Sequence, residues 1–158
     1  MVLRFNLKRL LLSLALPLLV GGFAAVITRD NMDLYSKITK PPLAPPSWLF
    51  PLVWTILYIL MGVSLYLVWD NNANQEVKYK AFLLFGIQLF LNGIWSPVFF
   101  NNQQFLLSLI ILVALCGFTI GMIITFYKIS KPSGILQIPY FIWLVFAGYL
   151  NLAICLIN

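Results

Sequence analysis

Three groups of side chains in this 158-residue chain have types and spacings that could do chemistry. Trp54, Tyr58, Met61 and Leu65 recur at i, i+4, i+7 and i+11, which puts them on one face of a helix. Gln88, Asn92, Trp95 and Phe99 form a second face, and Tyr140, Trp143, Ala147 and Asn151 a third. Indoles, phenols and carboxamides in this proportion resemble the wall of a small-molecule site, apolar with a few polar groups. Each residue also has a plainer reading. Trp and Tyr collect at membrane interfaces, as Trp48 and Trp69 near span ends would. Buried amides such as Gln88 and Asn92 also join helices to one another.

The chemistry that is missing narrows the field. The chain has no His and four acidic residues, Asp30, Asp33, Asp70 and Glu76. A Ser-His-Asp triad, the common zinc sites and His-ligated haem are excluded. Cys116 and Cys155 sit in apolar runs far apart and read as small core residues. Ordinary acid–base and metal machinery is therefore absent.

The elements that hold these faces follow from composition. Hydrophobic residues make up 62% of the chain and charged residues 9%, against about a quarter charged in soluble domains. Charge-free runs extend over 10–28, 41–69, 81–127 and 132–158. The third is too long for one crossing and must turn at its polar cluster, Asn101-Asn102-Gln103-Gln104. The expectation is an all-α integral membrane bundle of five transmembrane helices in a single domain over 1–158. The spans fall near 8–28, 47–69, 79–100, 104–127 and 133–156. All four carboxylates lie outside them, so no intramembrane proton relay is expected. Pro17, Pro97 and Pro139 should kink or bound their helices, and Gly117 and Gly121 form a weak GxxxG.

Arg4, Lys8, Arg9, Lys78, Lys80, Lys128 and Lys131 share one side, and Arg29, Lys37 and Lys40 the other. The positive-inside rule then puts the N-terminus in the cytoplasm. The basic residues are scattered, so no nucleic-acid partner is expected. The 29–46 connection is long and proline-rich (Pro41, Pro42, Pro45, Pro46). It reads as a stiff non-helical lid over one mouth of the bundle rather than a plain extended connector.

The sequence resembles the translocator protein family (TspO/MBR, tryptophan-rich sensory proteins). The resemblance rests on Lys40-Pro41-Pro42 through Pro45-Pro46 and Trp48, then Val53-Trp54 with Leu57-Tyr58 and Met61-Gly62. It continues in Gln88, Asn92, Trp95, Phe99-Phe100, and in Pro139-Tyr140, Trp143, Phe146-Ala147 and Leu150-Asn151. It implies a five-helix bundle, usually a homodimer, with a cavity beneath the first loop. In the family that cavity binds porphyrins and, in animal members, cholesterol and synthetic drugs. Members are linked to tetrapyrrole handling, stress signalling and, in some bacteria, light-dependent porphyrin breakdown. Carried over, the ligand-binding residues are Trp54, Asn92, Trp95, Trp143 and Ala147, with Pro45 and Pro46 in the lid. Tyr58, Gln88 and Tyr140 join them from the shared faces. No cofactor is required; porphyrin is the implied ligand and the bilayer the other partner. The chain departs from the family where Pro42-Leu43 replaces a Ser-Trp. It also lacks a Tyr and a basic residue after Leu150-Asn151, which disfavours a sterol, and the basic tail typical of animal members, which favours a bacterial cell membrane over the mitochondrial outer membrane.

Overall fold

The computed structural model describes residues 5–158; Arg4, counted above for orientation, lies outside them. Helix α1 (Leu7–Thr28) starts where the Asn6 side chain accepts a hydrogen bond from the Arg9 backbone N–H, 3.1 Å, which satisfies one of the free donors of a helix start. A short 3-10 turn (Arg29–Asn31) and the four-residue α2 (Leu34–Lys37) follow. The connection is therefore helical in part. Extended backbone takes over only at Ile38, as the prolines approach.

Helix α3 spans Leu49–Trp69 and α4 spans Gln75–Phe100. Helix α4 begins four residues before the expected 79, because Asn74 caps it through the Glu76 N–H, 2.9 Å, and Glu76 favours the positive end of the helix dipole. Helix α5 (Phe105–Ile129) follows a turn at 101–104, in the polar cluster expected to fold the long run back. The last span is split. A short helix α6 (Lys131–Ile135) precedes α7 (Ile138–Ile157), whose first turn holds Pro139, where no intrahelical donor is lost. Five helices are long and apolar enough to cross a membrane, and the described residues contain no strand.

Helix α1 packs on α3 and α4, α4 on α5, and α5 on α7, while α6 meets α3 and α5. Helices α1 and α3 approach closely at Gly62, where an added Cβ would stand 2.7 Å from the Leu14 Cα. A small residue is what lets two membrane helices close to that distance. The GxxxG pair does nothing comparable. A Cβ at Gly117 would meet open space, and one at Gly121 only the tips of Leu84.

Toward the end of the bundle away from the 29–48 connection the apolar interior is tightly packed. Met61, Val68, Met122 and Phe126 are fully buried there, and the Phe85 and Phe126 rings stack at 6.2 Å. Ser64 ties α3 to α6 by donating to the Ser133 carbonyl, 2.6 Å. The other end is hollow.

Candidate functional site

At the connection end, α1 and α7 face each other across a cavity of about 530 Å³, within the range of small-molecule sites. Helix α1 gives a smooth wall of Gly21, Ala24, Ala25 and Thr28. Helix α3 contributes Trp54 and Tyr58, α4 contributes Asn92, Trp95 and Phe99, and α7 contributes Ala147, Leu150 and Asn151. Tyr35, Ser36, Lys40 and Ser47 of the connection close the top.

The floor is a chain of hydrogen bonds. The Tyr58 hydroxyl donates to Asn92 Oδ1, 2.8 Å, and Asn92 Nδ2 donates to the Tyr140 hydroxyl, 2.9 Å. Tyr140 in turn donates to Gln88 Oε1, 2.9 Å. The direction of the chain is fixed by the donor inventory. One Asn92 N–H and the lone pairs of the Tyr58 oxygen are left for a guest. Gln88 and Tyr140 are fully buried beneath this layer and do not line the cavity.

Aromatic side chains form the walls. Trp54 stacks on Tyr58, centroids 5.5 Å apart at 28°, with Tyr140 edge-on at 6.2 Å. The Tyr58 ring lies where a Cβ at Gly21 would overlap it. Trp95 stacks on Phe99 at 5.3 Å, and its indole N–H donates to Asn151 Oδ1, 3.1 Å. Asn151 also accepts from Ser108, 3.0 Å, and donates to the Phe105 carbonyl, 2.9 Å. One carboxamide therefore joins α4, α5 and α7 and fixes the Trp95 ring.

Not every expected residue reaches the hollow. Trp143 lies outside the lining. It packs edge-on against Phe50 at 5.9 Å and tilted against Phe146 at 5.5 Å, with its indole N–H buried and unpartnered. Pro45 and Pro46 also stand back. The Pro45 carbonyl accepts from the Tyr35 hydroxyl, 2.7 Å, and the Pro46 carbonyl from the Leu49 N–H at the start of α3, 3.0 Å. These prolines shape the roof, and Tyr35 and Lys40 face the space.

The roof is stitched down at several points. Tyr149 donates to the Pro42 carbonyl, 2.8 Å, and the Asn158 side chain bonds both backbone groups of Thr39, 3.0 and 3.1 Å. Burial holds the Tyr35 phenol above its ordinary pKa. Its ring packs edge-on to Phe50 at 5.2 Å, and the Lys40 ammonium sits 4.8 Å from its centroid. Arg29 and Asp33 complete the rim, with Arg29 3.5 Å from exposed Asp30. Lys37 is not part of it. No group of three or more His, Cys, Asp or Glu able to hold a metal occurs among the described residues.

Sequence reasoning missed the α1 wall, Asn151 as an anchor, and Tyr35. Asn151 was visible as the fourth member of the Tyr140 face. The α1 residues carry no chemical signal beyond being small.

Fold and site together define a multi-pass membrane protein whose helices enclose a ligand-sized, aromatic-walled cavity beneath an ordered connection. Known proteins place it further. The model of the TspO/MBR family matches residues 13–157, and the chain belongs to that family. It is 39% identical over 150 residues to Tryptophan-rich protein TspO of Chlorobaculum tepidum, covering 94% of this chain and 95% of that one. It is 38% identical over 154 residues to the protein of the same name in Archaeoglobus fulgidus, covering 97% and 99%. It is 34% identical over 138 residues to the Translocator protein of Bos taurus, covering 86% and 82%. The family and its relatives identify a membrane protein of translocator or sensor type.

Proposed function

We propose that this protein binds a flat tetrapyrrole, a free-base porphyrin, in the connection-side cavity and serves as its membrane receptor or carrier. The observation that carries this is the hollow itself, about 530 Å³ with Trp54 and Trp95 in its walls and a pinned Asn92 amide in its floor. An aromatic macrocycle stacks on indole faces. The spare Asn92 N–H suits an acceptor on the ring edge. Arg29 and Lys40 at the rim suit the two carboxylates. With no His in the chain for axial ligation, a metal-free ring fits better than haem.

The test is a titration of protoporphyrin IX into the protein in nanodiscs, followed by tryptophan quenching. Saturable one-to-one binding is expected, weakened about tenfold or more in Trp54→Ala through the lost stacking. It should be unchanged in Trp48→Ala, which removes an exposed indole. Equal affinity in Trp54→Ala and wild type would reject the assignment.

One observation favours a second reading, photochemical breakdown of the bound ring. Trp54 and Tyr58, both oxidisable, are stacked at the cavity wall. Under illumination the porphyrin bands of the complex should fade faster than those of detergent-dissolved porphyrin. Equal fading removes this reading.

The same proposal places the N-terminus in the cytoplasm of a bacterial cell, with the cavity mouth outside, from the distribution of Lys and Arg. It also takes the assembly to be a homodimer. Labelling of single cysteines at Leu43 and Lys128 by an impermeant reagent should mark only the first in intact cells. Cross-linking in membranes should give a band at twice the monomer mass.

A further inference from the structure

The opposite end of the bundle carries a second hollow, of about 430 Å³, that the ligand reading does not use. It lies where α1 and α4 begin and α3 ends, so it sits at the depth where lipid headgroups meet the chain. Its chemistry is unlike that of the first. Its walls are mostly polar, and its one aromatic flank is the Trp69–Phe82 pair, edge-on at 6.5 Å, the kind of ring pair found at a membrane interface.

Two cations and one carboxylate line it. Arg9 is 3.0 Å from Asp70, which neutralises it, and the guanidinium also lies 5.9 Å from the Trp69 centroid. Lys78 has no such partner. Its ammonium is in a residue only 9% exposed and donates to two carbonyls, Trp69 and Asn71, both at 2.8 Å. Among the described residues no carboxylate lies within ion-pair distance of it. An ammonium held by two carbonyls, with the nearby Asp70 already paired to Arg9, is an unfinished arrangement, because burial of charge is offset well only by opposite charge. Two of its three N–H groups are used, and one remains. Gln75, exposed at the rim in the first turn of α4, makes no side-chain hydrogen bond among the described residues and adds a free amide donor.

We infer that this hollow is a site for a phosphate ester, with Lys78 as its charge partner and the headgroup of an anionic phospholipid as the natural source. A phosphodiester carries one negative charge, which matches the one uncompensated positive charge of the site. Its acyl chains would run down the exposed apolar sides of α3 and α4, and its oxygens would take up the spare donors of Lys78, Arg9 and Gln75.

The full-length protein, purified in detergent and exchanged into nanodiscs of phosphatidylcholine with phosphatidylglycerol, is examined by native mass spectrometry for retained lipid. Phosphatidylglycerol should be retained in preference to phosphatidylcholine. Lys78→Gln should lower that preference about fivefold, the worth of one charge at a headgroup. Because Lys78 also holds the end of α3, a second variant guards against misfolding. Gln75→Glu adds a carboxylate that a helix start tolerates and should lower retention by about the same factor, with the thermal midpoint in lipid-free detergent unchanged. Lys128→Gln makes the same charge change at an exposed position on α5 and should leave retention alone. If millimolar inorganic phosphate displaces phosphatidylglycerol, or binds where the lipid does not, the phosphate site stands and its source is soluble. Equal retention of the two lipids, or an equal loss in Lys128→Gln, overturns the inference.

Discussion

The two ends of this bundle are built from the same five helices and solve opposite problems. Around Phe85, Met122 and Phe126 the side chains are buried against one another, and the two phenylalanine rings stack. Around Asn92 the lining positions of α1 and α7 are small (Gly21, Ala24, Ala147) and those of α3 and α4 flat and aromatic (Trp54, Trp95), and a space persists. What keeps that space open is polar. The Tyr58–Asn92–Tyr140–Gln88 chain and the Asn151 anchor fix the rings in place, so they cannot swing in to close the gap. The packed end holds the helices together, and the hollow end is held apart by directional bonds. Stability should therefore be concentrated in the packed interior, and porphyrin binding in the connection-side hollow.

The largest expected effect breaks the packed end. Phe126→Ala removes a fully buried ring stacked on Phe85 and should destabilise the protein by about 3–5 kcal/mol. Denaturant unfolding in mild detergent reads this, and any protein that remains folded should still bind ligand. Asn92→Leu comes next. It leaves the hydroxyls of Tyr58 and Tyr140 without that partner and should cost about 1–2 kcal/mol by the same assay. Unlike the first variant, it should also loosen the grip on a porphyrin at constant fold.

Smallest is Tyr35→Phe, which deletes the hydrogen bond to the Pro45 carbonyl in the roof and should cost about 1 kcal/mol or less. It acts mainly on the roof, so ligand release should quicken in stopped-flow measurements with little change in the unfolding midpoint. The folded phenol titrates above its ordinary value. Its contribution is therefore complete below about pH 10, the unfolded phenol value, and fades as pH rises through the higher folded value.

How much of this was legible in the sequence depended on the kind of signal. The spans were, because charges are expelled from hydrocarbon and mark most helix ends, while the uncharged cluster at 101–104 marks the one turn without them. The faces were too. Trp54, Tyr58, Asn92, Trp95 and Ala147 were grouped by helical spacing and do meet at one cavity. Spacing says which residues share a face, however, and not which neighbour that face meets. Trp143 shares its face with Ala147, yet the ring is caught against Phe50 across the α3–α7 junction. Pro45 and Pro46 announce a stiff turn without saying which side of it looks inward. In the sequence Gly21 is only a small residue in an apolar run. Its structural role is to leave room for the Tyr58 ring, and only the packed partner reveals that. Leu43 shows the same limit. It takes a positive φ of 66° in the roof, a conformation its side chain disfavours and the sequence does not advertise.

Blocking the hollow is the most direct test of the division between the two ends. Ala147 lines the cavity on α7 and is almost fully buried, so Ala147→Phe sends a ring into open volume. The account predicts that protoporphyrin IX quenching is abolished in this variant while its unfolding midpoint stays at the wild-type value. Wild-type affinity with the cavity filled would contradict it.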